Sequence, residues 1–219
     1  MGRPKEHDEH TAVALLDAAE RIAERDGVAA LSVRRVANEV GTTTRAVYSL
    51  FGAKEGLVAE LGKRAFDLLT EEIAALPPTG DPRADLLRAG LAFRRFAREH
   101  PALYRIGVQR IDVPPESGRA FVGAADRALA ELRGLVVRLS DADLLGHRPM
   151  EIAVWEFRAL CEGLATNETR CPLFDVEADR LWSDALCALI RGWGCDDSRP
   201  IQVTSDVGPG NPPPAAGDA

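Results

Sequence analysis

Ala37, Gly41 and Val47 follow one another at offsets of four and six inside SVRRVANEVGTTTRAVYSLF, residues 32–51. Few spacings restrict a fold more. Two helical patterns meet at Gly41, and a tight turn there needs a residue that tolerates positive φ. For the helices to cross steeply the first must present a small side chain at the contact, here Ala37, and Val47 of the second then fills the angle. Ser32 suits the N-cap of the first helix, whose apolar positions are Val33, Val36, Ala37 and Val40. Thr42 or Thr43 suits that of the second, with Val47, Leu50 and Phe51 turned inward. A further helix precedes the pair. From Thr11, the residues Ala12, Leu16, Ala19 and Ala23 form a stripe widened by Leu15 and Ile22. Asp17, Glu20, Arg21 and Glu24 cover the other side, and Gly27 ends the helix. Three short helices in an all-α chain are expected, as either a plain packed core or a helix-turn-helix that binds DNA.

The outer face favours the second. Thr43, Thr44 and Arg45 fall in the first turn of the third helix, the part that enters a major groove and reaches base edges. Tyr48 lies one turn further on, placed for its hydroxyl to meet a phosphate, and Lys54 opens the next helix, whose N-terminal amides form another anion site. Arg34 on the second helix is a further candidate, with a solvated arginine as its alternative. The net charge of −7 does not oppose this, because phosphates feel the local field. Across residues 27–56 Arg34, Arg35, Arg45 and Lys54 outnumber Glu39 and Glu55, a local charge of +2. Residues 1–10, opening on GRPK, read as a flexible basic arm, suited to a minor groove or simply a frayed terminus.

The rest of the chain is helical in pattern. Lys54 to Leu76 buries Leu57, Leu61, Phe66, Leu69 and Ile73 and stops at Pro77 and Pro78. Asp81 to His100 restarts with Pro82 at its first position, Pro101 begins a short helix through Gln109, and the linker IDVPPESG leads into Arg119 to Leu139. The arginines at 83, 88, 94, 95, 98, 105 and 110 form a solvated basic face or a site for an anion. The last two helices, Met150 to Thr166 and Asp179 to Trp193, are apolar on more than one side. Trp155, Phe157, Leu160, Cys161 and Leu164 do this in the first, and Leu181, Trp182, Leu186, Leu189, Ile190 and Trp193 in the second. A helix apolar on two sides needs two partners, and the simplest second partner is another copy of the chain. From Asp196 the chain turns to Pro and Gly, and a disordered tail over 196–219 is expected.

Composition removes several classes. No stretch approaches eighteen apolar residues, and the N-terminus lacks the apolar segment of a signal peptide, so no membrane partner is expected and the compartment is the cytoplasm. Cys161, Cys171, Cys187 and Cys195 are spaced by 10, 16 and 8 residues, which fits no metal knuckle. They read as core fillers, with a thiol sensor as the alternative. There is no GxGxxG, Walker loop, GxSxG or HExxH, and the histidines at 7, 10, 100 and 147 show no ligand spacing, so no catalytic residue, metal or cofactor is expected. A helical adaptor that binds only protein remains as the rival, but it has no use for Thr43, Thr44, Arg45, Tyr48 and Lys54 on one surface.

The run LSVRRVANEVGTTTR followed by AVYSLFGAKEGLVAEL resembles the DNA-binding domain of the tetracycline-repressor (TetR) family of bacterial regulators. Its members carry a Tyr, a Phe three residues later, and then Lys-Glu-x-Leu. The likeness covers roughly residues 10–60 at motif level. It implies that Ser32, Tyr48 and Lys54 hold phosphates and that Thr43, Thr44 and Arg45 read bases. Many relatives have His where this chain has Leu50, which leaves Tyr48 as the main aromatic contact. The resemblance also implies a DNA-binding domain over 11–55 joined to a ligand-binding and dimerisation domain over 56–195. The partners it implies are a second copy of the chain, a double-stranded DNA operator, and a small-molecule effector that releases a repressor from it. Phe96, Tyr104, Phe121, Trp155 and Phe157 are the candidate pocket walls, with Arg158 and Glu162 as polar anchors, though aromatics at this spacing also serve as core. Trp155 with Gly163 and Leu164 resembles a Trp…His-Gly-Leu signature of one branch, with Glu162 in place of the His.

Overall fold

Caps and glycines cut the chain into nine α-helices in the computed structural model, which describes residues 5–109, 119–170 and 177–194, with no strand among them. Helix α1 runs Lys5–Asp26, so it begins ahead of Thr11 and takes in residues 5–10 of the expected flexible arm. Pro4 restricts only the residue before it. A proline just outside the first turn, with acidic residue types at 6, 8 and 9, suits a helix N-terminus and its dipole. Residues 1–4, the linker 111–118, Cys171, Cys195 and the tail 196–219 lie outside the described residues.

Gly27, at φ 83°, leads through a 3-10 turn, Val28–Ala30, into α2 (Val33–Val40) and α3 (Thr44–Phe51). The connector α4 (Lys54–Ala74) follows, then α5 (Pro82–Glu99), capped by the Asp81 side chain. The short α6 (Pro101–Leu103) continues as a π-helical turn, Tyr104–Val108. Helices α7 (Arg119–Asp141), α8 (Met150–Arg170) and α9 (Ala178–Trp193) complete the fold. The sequence pattern ends α8 at Thr166, where its apolar residues stop. The helix continues because Glu168, in the last turn, has a structural task.

Leu15, Ile22, Val36 and Val47 are fully buried and hold α1, α2 and α3 together. The connector serves both halves: Leu57 and Leu61 are buried toward its start, Phe66 and Leu69 further along, and it packs along α7 and the π turn. A Cβ on Gly107 of that turn would lie 2.6 Å from the Cβ of Ala65, so the turn rests directly on α4.

A charged network is built into the core of the larger half. Arg94 of α5 is 8% exposed. It donates to both oxygens of Glu168 on α8, at 2.9 and 2.8 Å, and to Asp179 on α9, while Trp182 Nε1 donates to Glu168 at 2.7 Å. Burial pushes the Glu168 carboxyl up, but the bonds from Arg94 and Trp182 outweigh it and hold the group below the usual carboxylate range. Among the described residues no helix is long and apolar enough to cross a membrane.

Candidate nucleic-acid interface

The turn between α2 and α3 takes the form its residues require. Gly41 sits at φ 71°, ψ 28°, the left-handed region, and Thr42 N donates to the Ala37 carbonyl at 2.9 Å. Ser32 Oγ accepts from the Arg35 amide and Thr43 Oγ1 from the Ala46 amide, both at 3.3 Å, so Thr43 rather than Thr42 is the cap of α3. With Ala37 and Val47 buried, α3 turns Thr43, Thr44, Arg45 and Tyr48 outward, Tyr48 being 55% exposed. Leu50 is half-buried against the core.

Charge on this face is narrower than the sequence count. Arg35 is engaged by Asp26 of α1. Arg34, Arg45 and Lys54 form no ion pair among the described residues, and they are the cations left for an external anion. Ala53, at the N-cap of α4, offers no side-chain cap, so the first amides of that helix are also open to an anion beside Lys54. One structural residue escaped the sequence reading. A Cβ at Gly56 would stand 1.9 Å from the Phe51 carbonyl oxygen, so only glycine there lets the end of α3 seat on the first turn of α4. Its signal was a glycine inside an otherwise helical pattern. The result is an exposed surface of hydroxyls, one phenol and three cations without an ion pair among the described residues, which can bind a polyanion.

A second feature lies between α4, α5, α7 and α8. It is a cavity of about 80 Å³ walled mainly by Phe66, Leu69, Phe93, Leu129, Phe157 and Cys161, with Arg158 and Glu162 as its polar side chains. Arg158 Nε donates to Glu162 Oε1 at 2.5 Å, and its guanidinium lies 5.0 Å from the centre of the Trp155 ring. Of the residues proposed from the sequence, Phe157, Arg158 and Glu162 line this cavity and Phe96, Tyr104, Phe121 and Trp155 do not. Phe96 is fully buried, beside the His100 ring. Phe121 packs edge-on against Phe66. Tyr104 stands behind Phe93, its hydroxyl donating to the Glu162 carbonyl at 3.1 Å and paired with Thr166 at 2.9 Å, and burial raises its pKa. Trp155 is 50% exposed, because two residues along a helix rotate a side chain by about 200° away from Phe157. It shares the outer surface of α8 and α9 with Ile152 and Leu181, also exposed. The sequence reading had Phe66 and Leu69 as buried residues of the connector, without a sign that they face a cavity.

Known proteins share both halves of this arrangement. Residues 15–61 match the bacterial regulatory proteins of the tetR family, and residues 86–189 match the tetracyclin repressor-like C-terminal domain. No curated protein sequence matches. A protein with unknown function from Rhodococcus sp. RHA1 has a similar structure, with TM-score 0.76, 24% identity, 84% of this chain covered and 96% of that one. The TetR family transcriptional regulator PfmR from Thermus thermophilus gives TM-score 0.65 and 21% identity, with 81% and 97% covered. The transcriptional regulator FadR from Bacillus subtilis, solved in complex with stearoyl-CoA, gives 0.66 and 14%, with 82% and 98% covered.

Proposed function

Because this chain belongs to the TetR family of bacterial regulatory proteins, and is therefore a helix-turn-helix DNA-binding transcriptional regulator, we propose that it is a cytoplasmic repressor released from its operator by a small molecule. The observation that carries the DNA-binding half of this reading is the outward face of α3, where Arg45 stands unpaired among exposed hydroxyls while Lys54 opens an uncapped helix. Ser32, Arg34, Tyr48 and Lys54 hold phosphates, and Thr43, Thr44 and Arg45 read bases. Two copies joined through α8 and α9 bury Ile152, Trp155 and Leu181 and present two heads to a roughly palindromic site, the half-sites about one helical turn apart.

Lys54→Ala is expected to weaken binding to operator and unrelated DNA alike and to reduce the slope of log affinity against log salt by roughly one. Binding measured by fluorescence anisotropy over a salt series tests this, and an unchanged slope removes Lys54 from the phosphate contacts.

The effector site is the cavity between α4, α5, α7 and α8. Its apolar walls with one Arg–Glu pair suit an apolar molecule carrying a single polar end. FadR, a regulator of similar fold, binds an acyl-CoA. At about 80 Å³ the cavity is far below the roughly 300–1,000 Å³ of an ordinary ligand pocket, so a larger effector enters by parting these helices. Ala128→Leu, which fills the space from α7, should leave operator affinity intact and abolish release by the effector. A variant that still responds in a reporter assay places the effector elsewhere.

A further inference from the structure

His100 was the least informative of the sequence features, a lone histidine between two helices, and the fold gives it company. It ends α5 and starts α6 at φ −127°, ψ 59°, its position set by its backbone N–H, which donates to the Phe96 carbonyl at 2.9 Å, and by Pro101 after it. Its Nδ1 lies 3.1 Å from Oε1 of Glu20, on α1, eighty positions earlier in the chain. Glu24, one turn further along α1, brings a second carboxylate to the same place. One ligand atom from each of Glu20, Glu24 and His100 lies within 4.8 Å of the other two.

We infer that Glu20, Glu24 and His100 form a site for a divalent cation of the zinc type, tying α1 of the DNA-binding half to the α5–α6 junction of the effector half. One nitrogen and two carboxylates are a donor set that Zn²⁺ accepts, with water in the remaining position. Ligand atoms about 3.4 Å apart are what bonds of about 2.1 Å in a tetrahedron require. The His100–Glu20 separation already meets this, and Glu24 is exposed and free to rotate inward.

The charge supports it. Arg64 touches Glu20 at 3.3 Å, but it is itself engaged by Asp17 at 2.5 Å, so it offsets only part of the negative charge that Glu20 and Glu24 bring together. The supporting shell is present as well. Glu20 is oriented by Arg64, and the His100 ring lies against Phe96 at 5.8 Å, with Glu72 and Glu99 on its other approach. Glu72 is held by Arg95 at 3.0 Å, closer than Arg64 stands to Glu20, and His100 Nδ1 is already at Glu20, which favours the α1 side as the site.

The test uses the metal-free full-length chain and Zn²⁺ alone, followed by isothermal titration and by the shift in Tm. One ion per chain is expected, with His100→Gln and Glu24→Gln each weakening affinity by roughly 10–100-fold or more. Glu24→Gln alters an exposed side chain and keeps the fold, so its zinc response is readable whatever His100→Gln does to stability. Equal affinity in Glu24→Gln and the unaltered chain overturns the assignment, as does the absence of any zinc response. A Co²⁺ spectrum with a thiolate charge-transfer band also overturns it, by placing the metal on cysteine. None of these readouts involves DNA or an effector, so their outcome is separate from the repressor reading.

Discussion

Arg94→Met should lower stability by about 3–5 kcal/mol, measured by urea unfolding near neutral pH. The loss comes from what is left behind. Glu168, whose side chain is only 10% exposed, would keep its charge with Trp182 Nε1 as the main remaining donor. Removing both charges in Arg94→Met with Glu168→Met should recover most of the loss, since a buried ion pair contributes little relative to apolar groups of similar volume. A double variant as unstable as the single one would show instead that the network specifies how α5, α8 and α9 pack. The pH dependence follows in sign. Glu168 titrates lower in the folded chain than its ordinary value, so its pairing stabilises above that value and is lost as pH falls through the folded one. In Arg94→Met the folded value rises, and that contribution to the acid-side fall in stability should diminish.

The second large effect is expected at the DNA. Arg45→Ala should cost roughly 1–3 kcal/mol at one or two base pairs of the operator and little at the others, if its guanidinium reads a base edge. Competition binding with operators substituted position by position distinguishes this from the uniform loss expected for Lys54→Ala. The same uniform loss in Arg45→Ala would move Arg45 to the phosphate contacts.

What the sequence disclosed and what it withheld divide along physical lines. The α2–α3 turn was legible because each of its demands falls on one residue type: positive φ at Gly41, a small contact at Ala37, a capping oxygen at Ser32. Helix ends were harder. The N-terminus of α1 and the last turn of α8 are polar, and the first is favoured by dipole and proline while the second is held by Glu168, neither of which leaves an apolar period to read. The cavity was least legible of all. Phe157 and Trp155 have the same character in sequence and stand two positions apart, yet one faces the cavity and the other the outside of α8. Which apolar residue leaves a space beside it depends on side chains from four helices at once. The meeting of Glu20, Glu24 and His100 is invisible for the same reason, being made by α1 lying against the α5–α6 junction.

The close seating of Phe51 on Gly56 bears on how motion is conveyed. With the carbonyl of α3 occupying the space of a side chain on α4, the two helices move as a single lever rather than as a joint. The connector has 21 residues, a length of about 31 Å at 1.5 Å per residue. In the proposed dimer, pivoting the connector by about 5° at its cavity end swings the other end through roughly 2.7 Å, and two such arms moving apart change the span between the two α3 helices by about 5.4 Å, more than the 3.4 Å step between base pairs. On the proposed reading, a slight opening of the cavity is thus geared to a displacement larger than one base-pair step.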